Sequence, residues 1–234
     1  MPRRKSPVLK LFTGFDHREE IGWHVFTGSV LRRCSEQVAI IPLTGGQRDG
    51  SNAFTYARFL VPHLCGYEGW AIFADASDMV CLGDVAEIGK LRGEAAAYVV
   101  KHDYKTMNKI KYIGTDMECP NSDYPRKNWS SLILWNCGHP SNRILTPQMV
   151  DEADGRWLHG FSWLADDVIG DLPKEWNVLL DEGQLTADAK LLHWTSGIPA
   201  FNAYRRGPLA GIWLDEMAAA SEGWQNADLS RLQA

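Results

Sequence analysis

The densest group of side chains able to do chemistry is Ile72-Phe-Ala-Asp75-Ala-Ser-Asp78-Met-Val-Cys-Leu-Gly-Asp84. Two carboxylates three residues apart, just past an apolar run, can converge on one hard divalent cation. Such a cation takes oxygen ligands and leaves coordination positions open for a phosphate. The same spacing also suits an Asx turn or the cap of a short helix, and spacing alone leaves both readings open.

The elements that would carry these groups follow a strand and helix alternation. Val8 to Phe15 is apolar and β-rich, and Asp16-His-Arg-Glu19 has the form of a capping box. A helix is expected over about residues 17–33, with acidic Glu19 and Glu20 at its start and basic Arg32 and Arg33 at its end. Val38 to Leu43 reads as a short strand, residues 44–51 as a flexible loop, and Ala57, Leu60, Val61 and Leu64 as one face of a second helix. Trp70 to Ala74 reads as a third strand. The pattern predicts an α/β fold with a mixed, mostly parallel sheet flanked by helices, in which ligands sit at the carboxyl ends of the strands.

Further along, strands are expected at Ala95 to Lys101, Leu132 to Trp135 and Leu191 to Trp194, with an irregular polar stretch from His102 to Asn128. Asp171-Leu-Pro-Lys is a turn. A terminal helix is expected from near Pro208, with Leu209, Ile212, Trp213 and Met217 on one face. No repeat, low-complexity tract or linker interrupts the 234 residues, which predicts a single domain spanning 1–234 with a sizeable core.

The chain is 45% hydrophobic and 23% charged, with a net charge of −5, which excludes the disordered classes and binding of nucleic acid as a bulk polyanion. Five cysteines, without a Cys-x-x-Cys pair, encode neither a disulfide framework nor a zinc ribbon, and a cytoplasmic location is expected. The basic leader Met1-Pro-Arg-Arg-Lys-Ser-Pro runs into a segment broken by Lys10, so it is no signal-peptide core. No apolar run approaches the ~18 residues of a transmembrane segment.

Several of these stretches, in order, carry a resemblance: Tyr56-Ala-Arg58-Phe-Leu-Val-Pro, Tyr67-Glu-Gly-Trp-Ala-Ile-Phe-Ala-Asp75-Ala-Ser-Asp78, Gly83-Asp84, Ser130-Ser-Leu-Ile-Leu-Trp-Asn136, Asp166-Asp167 with Leu172-Pro and Trp176-Asn177, and His193-Trp-Thr-Ser-Gly197. Together they resemble the family-8-type nucleotide-sugar glycosyltransferases of GT-A fold. Tyr124-Pro-Arg-Lys-Asn-Trp-Ser-Ser131 is similar to a bacterial branch of such transferases. The resemblance implies a nucleotide-binding half over about residues 8–90 and an acceptor and sugar half over about 91–234. It also implies transfer of a hexose from a nucleotide-sugar donor, UDP-glucose or UDP-galactose, to an acceptor hydroxyl, with retention of configuration and with Mn²⁺ or Mg²⁺ as cofactor.

Carried over by residue, the resemblance makes Asp78, His193 and Asp75 metal ligands, with Asp75 instead able to hold the ribose. The family has Asp-x-Asp where this chain has Asp75-Ala-Ser-Asp78. Asp16 would meet the base, or else only cap its helix; Arg58 and Gly197 would lie near the donor. Asp166 and Asp167 would act on the transferred sugar and acceptor. The family continues after Gly197 into Lys-Pro-Trp, whereas this chain reads Ile198-Pro-Ala-Phe201. Arg126 or Lys127 is expected to supply the missing phosphate-binding charge. Of ten tryptophans, Trp70, Trp135 and Trp213 read as core and Trp129, Trp163 and Trp194 as candidates for sugar stacking. A nucleotidyltransferase, or a catalytically silent nucleotide-sugar or carbohydrate-binding module on the same fold, is the alternative.

Overall fold

The computed structural model describes residues 8–45 and 52–225. The basic leader at 1–7 and residues 46–51 of the expected loop lie outside them. The first apolar run forms β1 (Leu9–Gly14). Asp16 caps a short 3-10 turn, His17–Glu19, by accepting the Arg18 N–H, so the α-helix proper, α1 (Glu20–Arg33), starts only after that turn. β2 (Val38–Leu43) follows. The expected second helix is a 3-10 turn, Ala57–Leu60, and a single α-turn, α2 (Val61–Leu64), which closes at Gly66 and Tyr67, both in the left-handed region. Then come β3 (Trp70–Ala74), β4 (Met79–Cys81) and β5 (Ala97–Val99).

The polar stretch 102–128 is not wholly irregular, since it contains a two-stranded pairing of β6 (Ile110–Lys111) with β7 (Cys119–Pro120). The rest of the chain supplies β8 (Leu132–Asn136), α3 (Pro147–Glu152), α4 (Gly155–His159), β9 (Ile169–Asp171), β10 (Val178–Leu179), β11 (Leu191–His193) and α5 (Ala210–Gln225). Helix α5 begins after Leu209 because that residue stands at φ 52°, outside helical geometry.

The main sheet has the order β2-β1-β3-β8-β5-β9. β1 runs parallel to β2 and β3, and β5 parallel to β9; β8 lies between β3 and β5 and is antiparallel to both. Successive side chains of these strands point to opposite faces. Phe12, Phe73, Ile133 and Trp135 pack on one face with Phe59 and Phe161, while Leu11, Ile72 and Leu134 pack on the other against Phe26 and Val30 of α1. Each such side chain contributes roughly 1.5–3 kcal/mol by leaving water. A second sheet, β10-β11-β4, packs with α5 through Val80, Leu192, Trp194 and Trp213. Glu216 of α5 is clamped by both Arg32 and Arg33 of α1, which ties the last helix to the first.

Candidate active site

The carboxyl ends of β1 and β3 and the amino end of β8 meet at one edge of the main sheet. Ala74 pairs with Leu132, and just beyond them Asp75 N–H donates to the Ser131 carbonyl at 2.9 Å. The chain then turns sharply. Ala76 adopts φ 68°, which costs a non-glycine residue about 1–2 kcal/mol, and Ser77 N–H and Met79 N–H close the turn onto the carbonyls of Asp75 and Ala76. That turn absorbs the extra residue of Asp-x-x-Asp. It leads directly into β4, whose Met79 pairs with His193 of β11, and Trp194 N–H donates to the Asp78 carbonyl at 2.9 Å. The second sheet therefore sets His193 against Asp78 across 115 residues of chain.

One ligand atom from each of Asp75, Asp78 and His193 lies within 4.8 Å of the others. Donor atoms around one ion at about 2.1 Å stand at most about 4.2 Å apart, so a contraction of about 0.6 Å in the widest separation would seat all three on it. All three residues are buried or nearly so. Asp78 Oδ1 is buried without a hydrogen-bond partner, a costly state for a carboxylate oxygen that a bound cation would relieve, whereas the equally buried Asp75 Oδ1 already faces the Arg58 guanidinium. The donor set, two carboxylates and one imidazole, suits Mn²⁺ or Mg²⁺.

Neighbouring groups hold the imidazole in place. The Asn177 side-chain amide donates to Ser131 Oγ at 2.8 Å, which turns its oxygen toward His193 Nδ1 at 3.0 Å. Nδ1 thereby donates to Asn177, and Nε2 stands within hydrogen-bond distance of Asp78 Oδ2 at 3.2 Å. Burial pushes the Asp75 carboxyl up to about 6 against the pull of the Arg58 guanidinium. Burial would raise Asp78 as well, but the charge and hydrogen bond of His193 outweigh it and hold that carboxyl below its usual range.

These residues open onto a cleft of about 110 Å³ that also takes in Arg58, Lys111, Tyr112 and His159. Arg58 is buried, with Nη1 2.6 Å from Asp75 Oδ1; Nη1 also donates to the Ser130 carbonyl at 2.8 Å and Nε to that of Thr55 at 2.9 Å. His159 Nδ1 stands 2.7 Å from Ser130 Oγ, and burial together with the nearby Arg58 charge pushes its imidazole down to about 3.

The other expected site residues lie outside this cleft. Asp16 is buried and fully engaged, with a bidentate pair to Arg18 and N–H donors from Arg18 and Ala53. Lys127 Nζ donates to Asn121 Oδ1 and the Ser122 carbonyl, both at 2.6 Å, and its burial, with Lys111 nearby, pushes it down to about 8. Arg126 pairs with Asp166 and donates to the Gly160 carbonyl. Both basic residues line a neighbouring cleft of about 370 Å³ with His102 and Tyr124, and Tyr124 is shared between the two clefts. Asp166 and Asp167 are exposed on a 3-10 turn before β9. Gly197 has φ 155°, and a Cβ there would lie 2.5 Å from the Tyr204 ring, which restricts the position to glycine. Trp194 is core, with its indole N–H on the Pro208 carbonyl; Trp163 packs against Phe161 and Trp157, and Trp129 lies under Arg126.

Lys111, Tyr112 and His159 join the cleft without any signal in the sequence. Lys111 and Tyr112 lie in the stretch without periodicity, and His159 ends a five-residue helix. Asn177 falls within a recognised segment, but its place beside His193 depends on the pairing of β10 with β11.

Comparison with solved structures places the chain in a fold class. It superimposes on the apo form of the bifunctional glycosyltransferase WbbM with a TM-score of 0.62 at 16% identity, covering 99% of this chain and 52% of that one. The glycosyltransferase GlyE of Streptococcus pneumoniae gives 0.61 at 14% identity, covering 94% and 64%. The galactosyltransferase LgtC, in complex with donor and acceptor sugar analogs, gives 0.60 at 10% identity, covering 93% and 99%. The fold is that of the GT-A-type glycosyltransferases. The chain spans about half the length of WbbM and under two thirds of GlyE. It belongs to the same family as Protein CDI of Arabidopsis thaliana, to which it is 37% identical over 232 residues, covering 91% of this chain and 87% of that protein. No family model matches the chain.

Proposed function

We propose that the chain, read as one domain, transfers a hexose from UDP-glucose or UDP-galactose to an acceptor hydroxyl with retention of configuration, in the manner of family-8-type glycosyltransferases. The observation that carries this reading is the buried Asp75, Asp78 and His193 group, with Asp78 Oδ1 unpartnered, at the strand ends of a GT-A-type sheet. A solved neighbour of the same fold, LgtC, is a galactosyltransferase in complex with donor and acceptor sugar analogs.

In this reading Asp75, Asp78 and His193 hold Mn²⁺ or Mg²⁺, and the ion would supply positive charge to a departing diphosphate. Arg58 keeps Asp75 ionised and aimed, because its guanidinium is fixed by Ser130 and Thr55. Asp16 fixes the corner between β1 and α1 on which the nucleoside would rest. Gly197 leaves room for the Tyr204 ring in the segment that follows His193, and would lie near the donor. Lys127 would bind at the neighbouring cleft, and Asp166, paired with Arg126 of that cleft, and Asp167 would face the sugar and the acceptor. Residues 124–131 would ally the chain with a bacterial branch of such transferases, while its relative CDI is a plant protein. A cytoplasmic location goes with five cysteines that are all free, and no helix among the described residues is long and apolar enough to cross a membrane.

Isothermal titration with UDP, with and without Mn²⁺, repeated on Asp78→Ala, tests this reading. Binding that requires both the metal and Asp78 is the expected result, and no UDP binding under either condition overturns the UDP assignment. A silent binding module is favoured by one observation, the pairing of Asp166 with Arg126 outside the metal-ligand cleft. Metal-dependent consumption of the donor distinguishes the two.

A further inference from the structure

The cleft beside Asp75, Asp78 and His193 is lined by two long basic side chains, Arg58 and Lys111. They are in opposite states. Arg58 is committed to Asp75 and to two backbone carbonyls. Lys111 is half-buried, and its ammonium makes no hydrogen bond or ion pair with any described residue; Nζ lies over the Tyr112 ring, 5.4 Å from its centroid. A partly desolvated ammonium facing a cleft without a partner is poised for an anion supplied from outside.

Its position is built rather than incidental. Lys111 ends β6, and the next residue, the buried Tyr112, donates its N–H to the Ser196 carbonyl at 2.7 Å. Asn108 Nδ2 donates to Ser196 Oγ at 3.1 Å, and Ile113 N–H to the Tyr204 hydroxyl at 2.9 Å. The strand that presents Lys111 is therefore pinned to the same 193–204 segment that presents His193. The ammonium also reaches the metal group electrostatically, since it opposes the upward push of burial on both Asp75 and Asp78.

We propose that Lys111 binds the donor's leaving diphosphate beside the Asp75, Asp78 and His193 group, taking the place of the basic residue absent after Gly197. This rests on the glycosyl-transfer reading and names the residue for its leaving group. In that transfer the bond between the anomeric carbon and the β-phosphate oxygen breaks, and its electron pair stays on that oxygen. The acceptor oxygen bonds to the anomeric carbon and its proton passes to the phosphate. Negative charge grows on the diphosphate before that proton arrives, and an ammonium held at the cleft stabilises it then. Lysine suits this role because a compact charge on a long stem can follow one phosphate oxygen as the bond lengthens. Arg126 and Lys127 are bonded elsewhere.

The test uses the full chain with Lys111→Met and Lys111→Arg, titrated with Mn²⁺ alone, with UDP at saturating Mn²⁺, and with uridine. Lys111→Met is expected to weaken UDP by about ten- to a hundred-fold, the range of a charge-assisted contact, and Lys111→Arg to recover part of it. Uridine, which carries no phosphate, should bind both variants as it binds the parent, and Mn²⁺ should bind no more weakly. A merely structural role would weaken all three ligands together, and that result overturns the proposal. So does undiminished UDP binding by Lys111→Met. If the unaltered chain fails to bind UDP with Mn²⁺, the UDP donor assignment falls and this inference with it, which separates the two failures. Should Lys111→Met not fold, Lys111→Gln is read in the same way.

Discussion

Helix α1 comes close to the backbone of the Asp75–Asp78 turn at Gly22, whose lack of a side chain makes that approach possible. A Cβ built at Gly22 would lie 1.9 Å from the Ser77 carbonyl oxygen and 2.9 Å from its carbon. Both partners are backbone, so neither can swing aside as a side chain would. Separating them to about 3 Å needs a relative movement of about 1 Å between α1 and the 75–78 turn. Two effects of Gly22→Ala then compete. Helix propensity favours alanine over glycine by about 1 kcal/mol. Overpacking a close contact costs about 1–3 kcal/mol, at the upper end where nothing can yield. The net expectation is a loss of about 2 kcal/mol, read as a fall of roughly 1 M in the urea midpoint at unchanged slope. Because Ser77 adjoins Asp78, Mn²⁺ affinity should fall about ten-fold or more as the ligand geometry opens. Gly28→Ala is the internal control. It lies on the same helix, where a Cβ would meet the movable Arg32 Nη1 at 3.0 Å and Ala220 Cβ at 3.4 Å, so propensity should dominate and the variant should be neutral or more stable. A Gly22→Ala protein as stable as the parent and as tight for Mn²⁺ refutes the close approach and the coupling of α1 to the site.

Arg58→Met leaves the buried Asp75 without its cation and should cost about 3–5 kcal/mol in urea unfolding at pH 7, with part recovered by adding Asp75→Asn; a loss below about 1 kcal/mol would contradict the ion pair's structural role. His159 gives a pH prediction. Its folded imidazole titrates at about 3, below the ordinary histidine range near 6.5, so the unfolded chain takes up the proton first. Its contribution to stability is intact above about pH 6.5 and is lost by about 1.4 kcal/mol per pH unit as pH falls toward 3. His159→Gln should remove that one-proton slope from the stability curve, and parallel acid limbs in the two proteins would show that His159 is not held neutral.

Much of the scaffold was legible because periodicity reports burial directly. The mainly apolar runs at Leu9–Gly14, Trp70–Ala74 and Leu132–Asn136 are central strands covered on both faces, with Lys10 the exposed exception in the first. The boundaries of α1 and α5 moved for local reasons, the Asp16-capped turn and the left-handed Leu209. What escaped the sequence was short and stabilised from a distance. β4 and β10 have three and two residues and exist because a remote partner pairs with them, as His193 does with Met79 and Leu192 with Val178.

Along the chain, the residues of the site fall into two kinds. Asp75 and Asp78 were visible because their chemistry depends on local spacing, as was the capping role of Asp16, which is satisfied within two residues. The chain order alone also determined a mostly parallel sheet and the expectation that a ligand sits at its strand ends. Only the tertiary structure decided which carboxylate oxygens lie buried without partners, that Asn177 orients His193, that Arg58 is committed to Asp75, and that Lys111 is not. Those facts depend on burial and on contacts across scores of residues. The cost of leaving a charge unpaired is set by the water and dipoles around it in the folded molecule.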